Sequence, residues 1–438
     1  MHRVLSQRLL AWKDHPTRTP LILRGARQVG KSYLVNQLGC HFSHFITLNF
    51  ERDPRAKQLF QGSLGANALL SKISAYTEKP ILPKETLLFL DEIQECEEAL
   101  LALRYFKEET PELHVIAAGS LLDFALDKIG IPVGRVQFLY LHPLSFGEYL
   151  EATDKTILHD YLLHQDTIEI PLHEKLLEEL RYYCWLGGMP AVVDAWRTHQ
   201  NPQYCQDIQD QLIQSYRQDF SKYAKQHQIP YVSHIFDRAG LQIGQKFKYS
   251  KVDPDLRSAP LKEALSLLTK AGVIHVAYHS AGQGLPLSAG IDLQKFKAFF
   301  FDIGLLQRMQ ALSLKEWLLA PLSVTYMGGI AEQLVAQEYI AYTATQIPAE
   351  LFYWQREVSH SHAEIDFLFQ CDHHIIPVEV KSGSQGRLKS LASFLQSHPH
   401  STSGLVISEK PAWQQGQLQG ISLYALERFL LKSFASPC

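Results

Sequence analysis

Cysteine is scarce and scattered in this chain. The six residues, Cys40, Cys96, Cys184, Cys205, Cys371 and Cys438, include no C-x-x-C pair among 438 positions. Such spacing excludes a disulfide-stapled scaffold and a paired-cysteine zinc site, and reduced thiols in a cytoplasm are expected. No apolar run approaches the ~20 residues needed to cross a bilayer, so no membrane partner is expected. The opening residues, Met1-His2-Arg3-Val4-Leu5-Ser6-Gln7-Arg8, carry no apolar signal-peptide core. Charge of one sign is missing too. Lys and Arg number 42 against 45 Asp and Glu, a formal charge of −3. No global basic field therefore draws nucleic acid, and any such contact must come from local patches. What is present is globular: 46% hydrophobic and 20% charged residues. The length exceeds one ordinary core, and two or three domains are expected.

The sharpest local feature is Gly25-Ala26-Arg27-Gln28-Val29-Gly30-Lys31-Ser32, a complete G-x4-G-K-S run. It follows the apolar Leu21-Ile22-Leu23 and leads into Tyr33-Leu34-Val35, so it reads as strand, loop, helix. A phosphate loop requires that context. Its glycines let backbone N–H groups curl around phosphate oxygens, and the following helix adds its positive N-terminal end. Lys31 would reach the β- and γ-phosphates of ATP, and the Ser32 hydroxyl would ligate Mg²⁺. The run from Gly25 through Tyr33 is the expected nucleotide cradle.

A second element suits hydrolysis. Thr86-Leu87-Leu88-Phe89-Leu90-Asp91-Glu92 is an apolar run ending in two carboxylates. Such a run fits a strand buried on both faces of a parallel sheet, whose C-terminal end faces the ligand. Asp91 would hold Mg²⁺ through water, and Glu92 would polarise the attacking water. Strands are expected at 21–24, 45–50, 87–91, 114–118 and 137–141, alternating with helices in a doubly wound α/β arrangement. The fourth ends in Gly119-Ser120. Ser120 either senses the γ-phosphate and helps orient the water, or forms a simple turn. Arg135, after Gly134, either reaches a neighbouring subunit's γ-phosphate in a homo-oligomer or makes a structural ion pair.

Taken in order, these motifs resemble a known family. Gly25 to Ser32, Leu90-Asp91-Glu92-Ile93-Gln94, Ala118-Gly119-Ser120 and Gly134-Arg135 are followed by Leu141-His142-Pro143-Leu144-Ser145-Phe146-Gly147-Glu148-Tyr149. Together they are similar to the AAA-type P-loop domain of bacterial and archaeal predicted ATPases. The resemblance implies an ATPase domain over residues 1–200, with ATP and Mg²⁺ as ligands. Gly187-Gly188-Met189-Pro190 resembles the G-x-P element that follows the nucleotide fold in that family, which implies Pro190 close to the nucleotide. On its own residues the motif is a tight turn closing a helix rich in Leu, Tyr and Trp.

Residues 201–320 carry no catalytic constellation. Helices expected at 235–243 and 261–270, a strand at 273–278 and a returning strand at 297–302 give the outline of a winged helix. The same resemblance implies that unit here. Lys246, Lys248, Lys251, Arg257, Lys262 and Lys270 either meet DNA phosphates or are solvated.

In residues 321–438, an extended stretch is expected from Phe352-Tyr353-Trp354 through Glu364-Ile365-Asp366-Phe367-Leu368-Phe369. A turn at 370–374 and Ile375-Ile376-Pro377-Val378-Glu379-Val380-Lys381 follow. Period-two geometry puts Glu379 and Lys381 on one strand face, with Asp366 near the end of the preceding strand. Two carboxylates and a lysine converging on one point can bind Mg²⁺, generate hydroxide and stabilise a pentacovalent phosphate. Glu332, in a helix expected over 329–342, would add a further metal ligand. Glu332, Asp366, Glu379 and Lys381 resemble the PD-(D/E)xK, restriction-endonuclease-like motif, with Ile365 where the motif places proline. The resemblance implies an α/β nuclease-like fold. Cleavage by Asp366, Glu379 and Lys381 and a fold kept for binding or assembly both stay open. His360, His362, Glu364 and Asp366 spread along one strand face too far to share one ion, which argues against zinc. Three functions are consistent with this organisation: an ATP-driven DNA-processing enzyme, a nucleotide switch whose C-terminal domain binds a partner, and a ring-forming assembly ATPase.

Overall fold

Five short apolar runs in the first 142 residues become a parallel sheet. They are β1 (Leu21–Arg24), β2 (His44–Asn49), β3 (Thr86–Asp91), β4 (His114–Ala118) and β5 (Gln137–Tyr140), in the order β2-β3-β4-β1-β5. The strands expected from the sequence are found within a residue of these bounds. Every residue of β1, β3 and β4 is buried, as strands covered by helices on both faces must be. Ile46, Leu48, Leu88 and Leu90 meet Phe60, Ile73, Leu103 and Phe106 in one core. Each such side chain contributes about 1.5–3 kcal/mol by leaving water. Register places Asn49 beside Asp91, and Asp91 beside Ala118. The C-terminal ends of β2, β3 and β4 therefore form one edge.

The computed structural model describes residues 1–130, 134–311, 313–319, 325–348, 350–356, 363–371, 373–381 and 388–434. They divide into two units, Met1–His142 with Thr345–Pro348, and Pro143–Ala344 with Ala349–Cys438. Among the described residues no helix is long and apolar enough to cross a membrane, and Cys40, Cys96, Cys184, Cys205 and Cys371 are free thiols.

The second unit begins with helices that include Ile170–Leu186, Pro190–His199 and Pro202–Tyr223. The helices Ile229–Ala239 and Ser258–Lys270 then precede an antiparallel pair, β6 (Ile274–Ser280) and β7 (Ile291–Phe300). The short helix Tyr249–Val252 stands between those two, so three helices precede the hairpin, and the helix expected at 235–243 lies instead at Ile229–Ala239. The second strand starts at Ile291, not Lys297, and stops before Asp302. Asp302 instead caps the next helix, accepting from Leu305 N at 2.9 Å.

After the helix Thr325–Thr343 come β8 (Leu351–Gln355) and β9 (Glu364–Ile365), which complete a sheet of order β7-β6-β8-β9. The single extended stretch expected from Phe352 to Phe369 is instead divided among three strands. Phe367 begins one in another sheet, whereas β8 and β9 pair antiparallel, with Trp354 opposite Ile365. Burying both apolar side chains in one cluster requires that reversal. His360 and His362 lie outside the described residues. A second sheet, order β10-β11-β12-β14-β13, holds β10 (Phe367–Cys371), β11 (His374–Val380), β12 (Gly404–Ser408), β13 (Trp413–Gln415) and β14 (Leu418–Ser422). Asp366 stands where the chain leaves the first of these sheets and enters the second.

Candidate functional site

β1 delivers Gly25 at φ +138°, where an added Cβ would lie 2.1 Å from the Leu141 carbonyl oxygen. Only glycine fits. Gly30, at φ +99°, caps the helix Lys31–Gly39, so the loop leads directly from β1 into the N-terminus of that helix. Lys31 is buried, and its Nζ donates to Gly25 O at 2.9 Å and Ala26 O at 2.8 Å. Burial pulls its pKa down to about 8, against the opposing pull of Glu92 and Asp91. Arg27 is half-buried, Gln28 exposed at φ +62°, and Tyr33 exposed, its hydroxyl accepting from the Met1 amino group at 2.9 Å. Arg3, which no motif singles out, braces the loop from below. Its guanidinium donates to Val29 O at 2.9 Å and His142 O at 2.5 Å.

Asp91 ends β3 and gathers side-chain donors from two other elements. Ser32 Oγ lies 3.0 and 3.2 Å from its two oxygens, and Asn49 Nδ2 donates at 2.9 Å. Asn49 escapes a motif search because it reaches Asp91 only through the parallel register of β2 with β3. A hydroxyl facing a carboxylate beside the phosphate loop is a donor set that fits Mg²⁺. Glu92 follows at φ +50°, a conformation that a non-glycine residue adopts at a cost. Gln94 Nε2 donates to Glu92 Oε2 at 2.7 Å. The other amide atom, Gln94 Oε1, is buried without a hydrogen-bond partner, and a Cβ on Gly119 would lie 2.1 Å from it. The Gln94 amide thus holds Glu92 with one atom and packs its other against Gly119, next to Ser120. Ser120 is half-buried. Arg135 Nε pairs with Glu108 at 3.2 Å, both partly exposed.

In the second unit, Gly187 at φ +80° ends the helix Ile170–Leu186. Gly188 N donates to Asp302 at 2.7 Å, Gly188 O accepts from Leu144 N at 2.7 Å, and Pro190 opens the helix Pro190–His199. Burial pushes Asp302 up to about 6, against the backbone donors that hold its charged form.

The three carboxylates expected in the nuclease-like set face two lysines, Lys381 of that set and Lys297 outside it. Lys381 Nζ donates to Glu379, and Asp366 accepts from Val380 N at 2.7 Å. Glu332 joins Asp366 at a second lysine: it lies 3.0 Å from Nζ of Lys297, with Glu364 at 2.7 Å and Asp366 at 3.7 Å from the same nitrogen. Lys297, in β7, is fully buried, and its ammonium stands 5.4 Å from the centre of the Tyr353 ring. Burial alone would lower its pKa, but Glu332, Asp366 and Glu364 outweigh that and raise it. Burial raises Glu332, Asp366 and Glu379 as well. Among the described residues no group of three or more His, Cys, Asp or Glu is arranged to hold a metal. A divalent ion would need these oxygens about 2.1 Å away, where an ammonium already takes them. The set of Glu332, Asp366 and Glu379 therefore does not fit Mg²⁺ as it stands.

Residues 17–150 match the family described as AAA domain, and residues 177–316 and 327–425 match two families described as domains of unknown function (DUF8612 and DUF4143). No curated protein matches the chain. Among solved structures it is similar to the Walker-type ATPase PABY2304 of Pyrococcus abyssi, at 16% identity over 70% of this chain and 94% of that chain, TM-score 0.45. It is also similar to the Orc1 protein of Aeropyrum pernix in complex with DNA, at 10% identity over 70% of this chain and 90% of that one, TM-score 0.28. With the parallel sheet and the loop around Lys31, the match over 17–150 makes that segment an AAA-type P-loop domain.

Proposed function

We propose that this protein is a Mg²⁺-dependent ATPase whose chemistry is carried by Lys31, Ser32, Asp91 and Glu92. The observation that carries the reading is the meeting of Ser32, Asp91 and Asn49 at the edge where Lys31 lies buried beside the loop carbonyls. The residues from Gly25 to Tyr33 would wrap the phosphates, and Lys31 would exchange its two carbonyl partners for phosphate oxygens. Ser32 and Asp91 would hold the ion, which when bound neutralises charge on the β- and γ-phosphates. Gln94 would keep Glu92 aimed at the attacking water, with Ser120 alongside. Pro190 near the nucleotide, and Arg135 at a subunit boundary, belong to the same reading through the family resemblance.

Steady-state ATP turnover with Glu92→Gln and Lys31→Ala tests it. Glu92→Gln should bind ATP and not turn it over, whereas Lys31→Ala should lose binding as well. Wild-type turnover by Glu92→Gln would sink the assignment.

For the remainder of the chain we favour a cytoplasmic nucleotide switch over a nuclease. Residues 1–200 would be its ATPase domain, 201–320 a winged-helix connector and 321–438 a PD-(D/E)xK-like domain that binds without cutting. The three helices and hairpin of 229–300 support the connector. Lys246, Lys248, Lys251, Arg257 and Lys262 are exposed there and would meet DNA phosphates. The antiparallel β10–β11 pair, with β12 parallel to β11, supports the third domain. Lys297 among the carboxylates favours binding over cleavage.

A further inference from the structure

Lys297 has an unusual setting for a side chain that no motif marks. An ammonium carries three N–H donors and no acceptor. Here three carboxylates, Glu332, Glu364 and Asp366, surround it at 3.0, 2.7 and 3.7 Å. The ring of Tyr353 lies nearby, its centre 5.4 Å away, and an aromatic face is attractive to a cation. The nitrogen is thus served by three carboxyl groups and a π-face, with no exposure to solvent. These carboxylates come from a helix and from the junction of two sheets, whereas the lysine comes from β7. Two of them, Glu332 and Asp366, belong to the set that the nuclease-like motif would assign to a divalent ion.

We propose that the Lys297 ammonium is the resident cation of this cluster and holds the place a divalent metal would take. The consequence is a nuclease-like site closed to Mg²⁺ from within. The same contacts latch the β6–β7 hairpin onto Thr325–Thr343 and onto the β9–β10 junction. Opening the site to metal would require the buried lysine to withdraw first, so an entering ion must displace an ammonium already paired with the carboxylates. The proposal deepens the binding-without-cutting reading and is independent of the ATP chemistry, which turnover on the same samples reports separately.

Nucleotide-free full-length protein titrated with Mn²⁺, with bound ion counted by electron paramagnetic resonance, tests it. Wild type and Asp366→Asn should bind the same number of ions. Lys297→Ala should take up one ion more, and the double change Lys297→Ala, Asp366→Asn should lose that gain. The thermal midpoint of Lys297→Ala should rise further with Mn²⁺ than that of wild type or of the double change. A wild-type ion lost in Asp366→Asn or Glu332→Gln overturns the proposal. So does a folded Lys297→Ala that gains no ion. If Lys297→Ala does not fold, the comparison of wild type with Asp366→Asn and Glu332→Gln decides alone.

Discussion

Lys31 and Lys297 are both buried lysines, yet their surroundings assign them opposite work. Lys31 donates to two neutral backbone carbonyls, and its pKa is drawn down to about 8 by burial. Lys297 faces three carboxylates, which raise its pKa despite deeper burial. Carbonyl dipoles can be exchanged for phosphate oxygens with a net gain, because the incoming partner carries the charge that the lysine lacks. Carboxylates cannot be exchanged so cheaply: removing one member of a buried ion pair costs about 3–5 kcal/mol. Burial is common to the two sites, so it does not distinguish a binding lysine from a structural one. The charge of the partners does.

The largest effect should fall on turnover. Glu92→Gln keeps the size of the side chain and removes the base, so kcat should drop by roughly 10²–10⁴ with ATP affinity retained. Equilibrium binding beside steady-state hydrolysis checks this. Loss of binding in Glu92→Gln would show that Glu92 helps build the cradle.

Folding stability separates the two lysines directly. Lys297→Met strands three carboxylates and should cost about 3–5 kcal/mol at pH 8. Lys31→Met strands no charge and should cost about 1 kcal/mol. The pH sign follows from the carboxylates. Burial already raises Glu332 and Asp366, and losing the ammonium raises them further. Groups whose folded pKa exceeds the unfolded value lend stability at low pH and lose it as pH rises through the folded pKa. Urea melts of Lys297→Met should therefore show a smaller deficit at pH 5 than at pH 8. A larger deficit at pH 5 would mean that those carboxylates do not control the site.

The two sites also differed in how far the sequence disclosed them. The loop from Gly25 to Ser32 and the strand into Asp91 are contiguous, so spacing alone placed the chemistry at a strand-helix turn and a strand end. The five strands were equally legible, because strands buried on both faces read as short apolar runs. Asn49, Gln94 and Arg3 carry no assignment from sequence, since they reach the site through strand register, a loop contact and an N-terminal stretch ahead of the first helix. Lys297 was hidden for a stronger reason. It belongs to a hairpin strand whose start lies at Ile291, and its partners Glu332 and Glu364 come from a helix and a different strand. A motif built on 366, 379 and 381 could not see a cation delivered from 297. The reversal between β8 and β9 was missed because both runs are apolar and extended, and periodicity does not report direction.

ATP affinity offers a milder contrast. The free protein's Lys31 loses its proton near pH 8, and the phosphates need the ammonium. Binding above that pH must take up a proton, so affinity should fall about tenfold per unit as pH rises beyond 8 and stay flat below it. Lys31→Met should bind weakly with no such slope. Fluorescent-nucleotide titrations from pH 6.5 to about 9.5, the range that brackets a group near 8, resolve it. A flat profile in wild type would mean that the loop carbonyls hold Lys31 charged throughout.

The smallest effect is expected at Gly119. A methyl group there would meet Gln94 Oε1 at 2.1 Å, the end of a flexible side chain, so the amide can swing away with little loss of folding stability. What would be lost is the 2.7 Å hold of Gln94 on Glu92. The backbone of Glu92 stays fixed at φ +50°, but its carboxylate would turn freely. Gly119→Ala should lower kcat roughly three- to tenfold without changing ATP affinity, and Gln94→Ala should do the same, a cost near 1 kcal/mol. Because both changes act through one contact, the double change should add nothing further. If Gly119→Ala slows turnover while Gln94→Ala does not, the effect runs through the neighbouring Ser120, and the carboxylate of Glu92 is positioned by something other than Gln94.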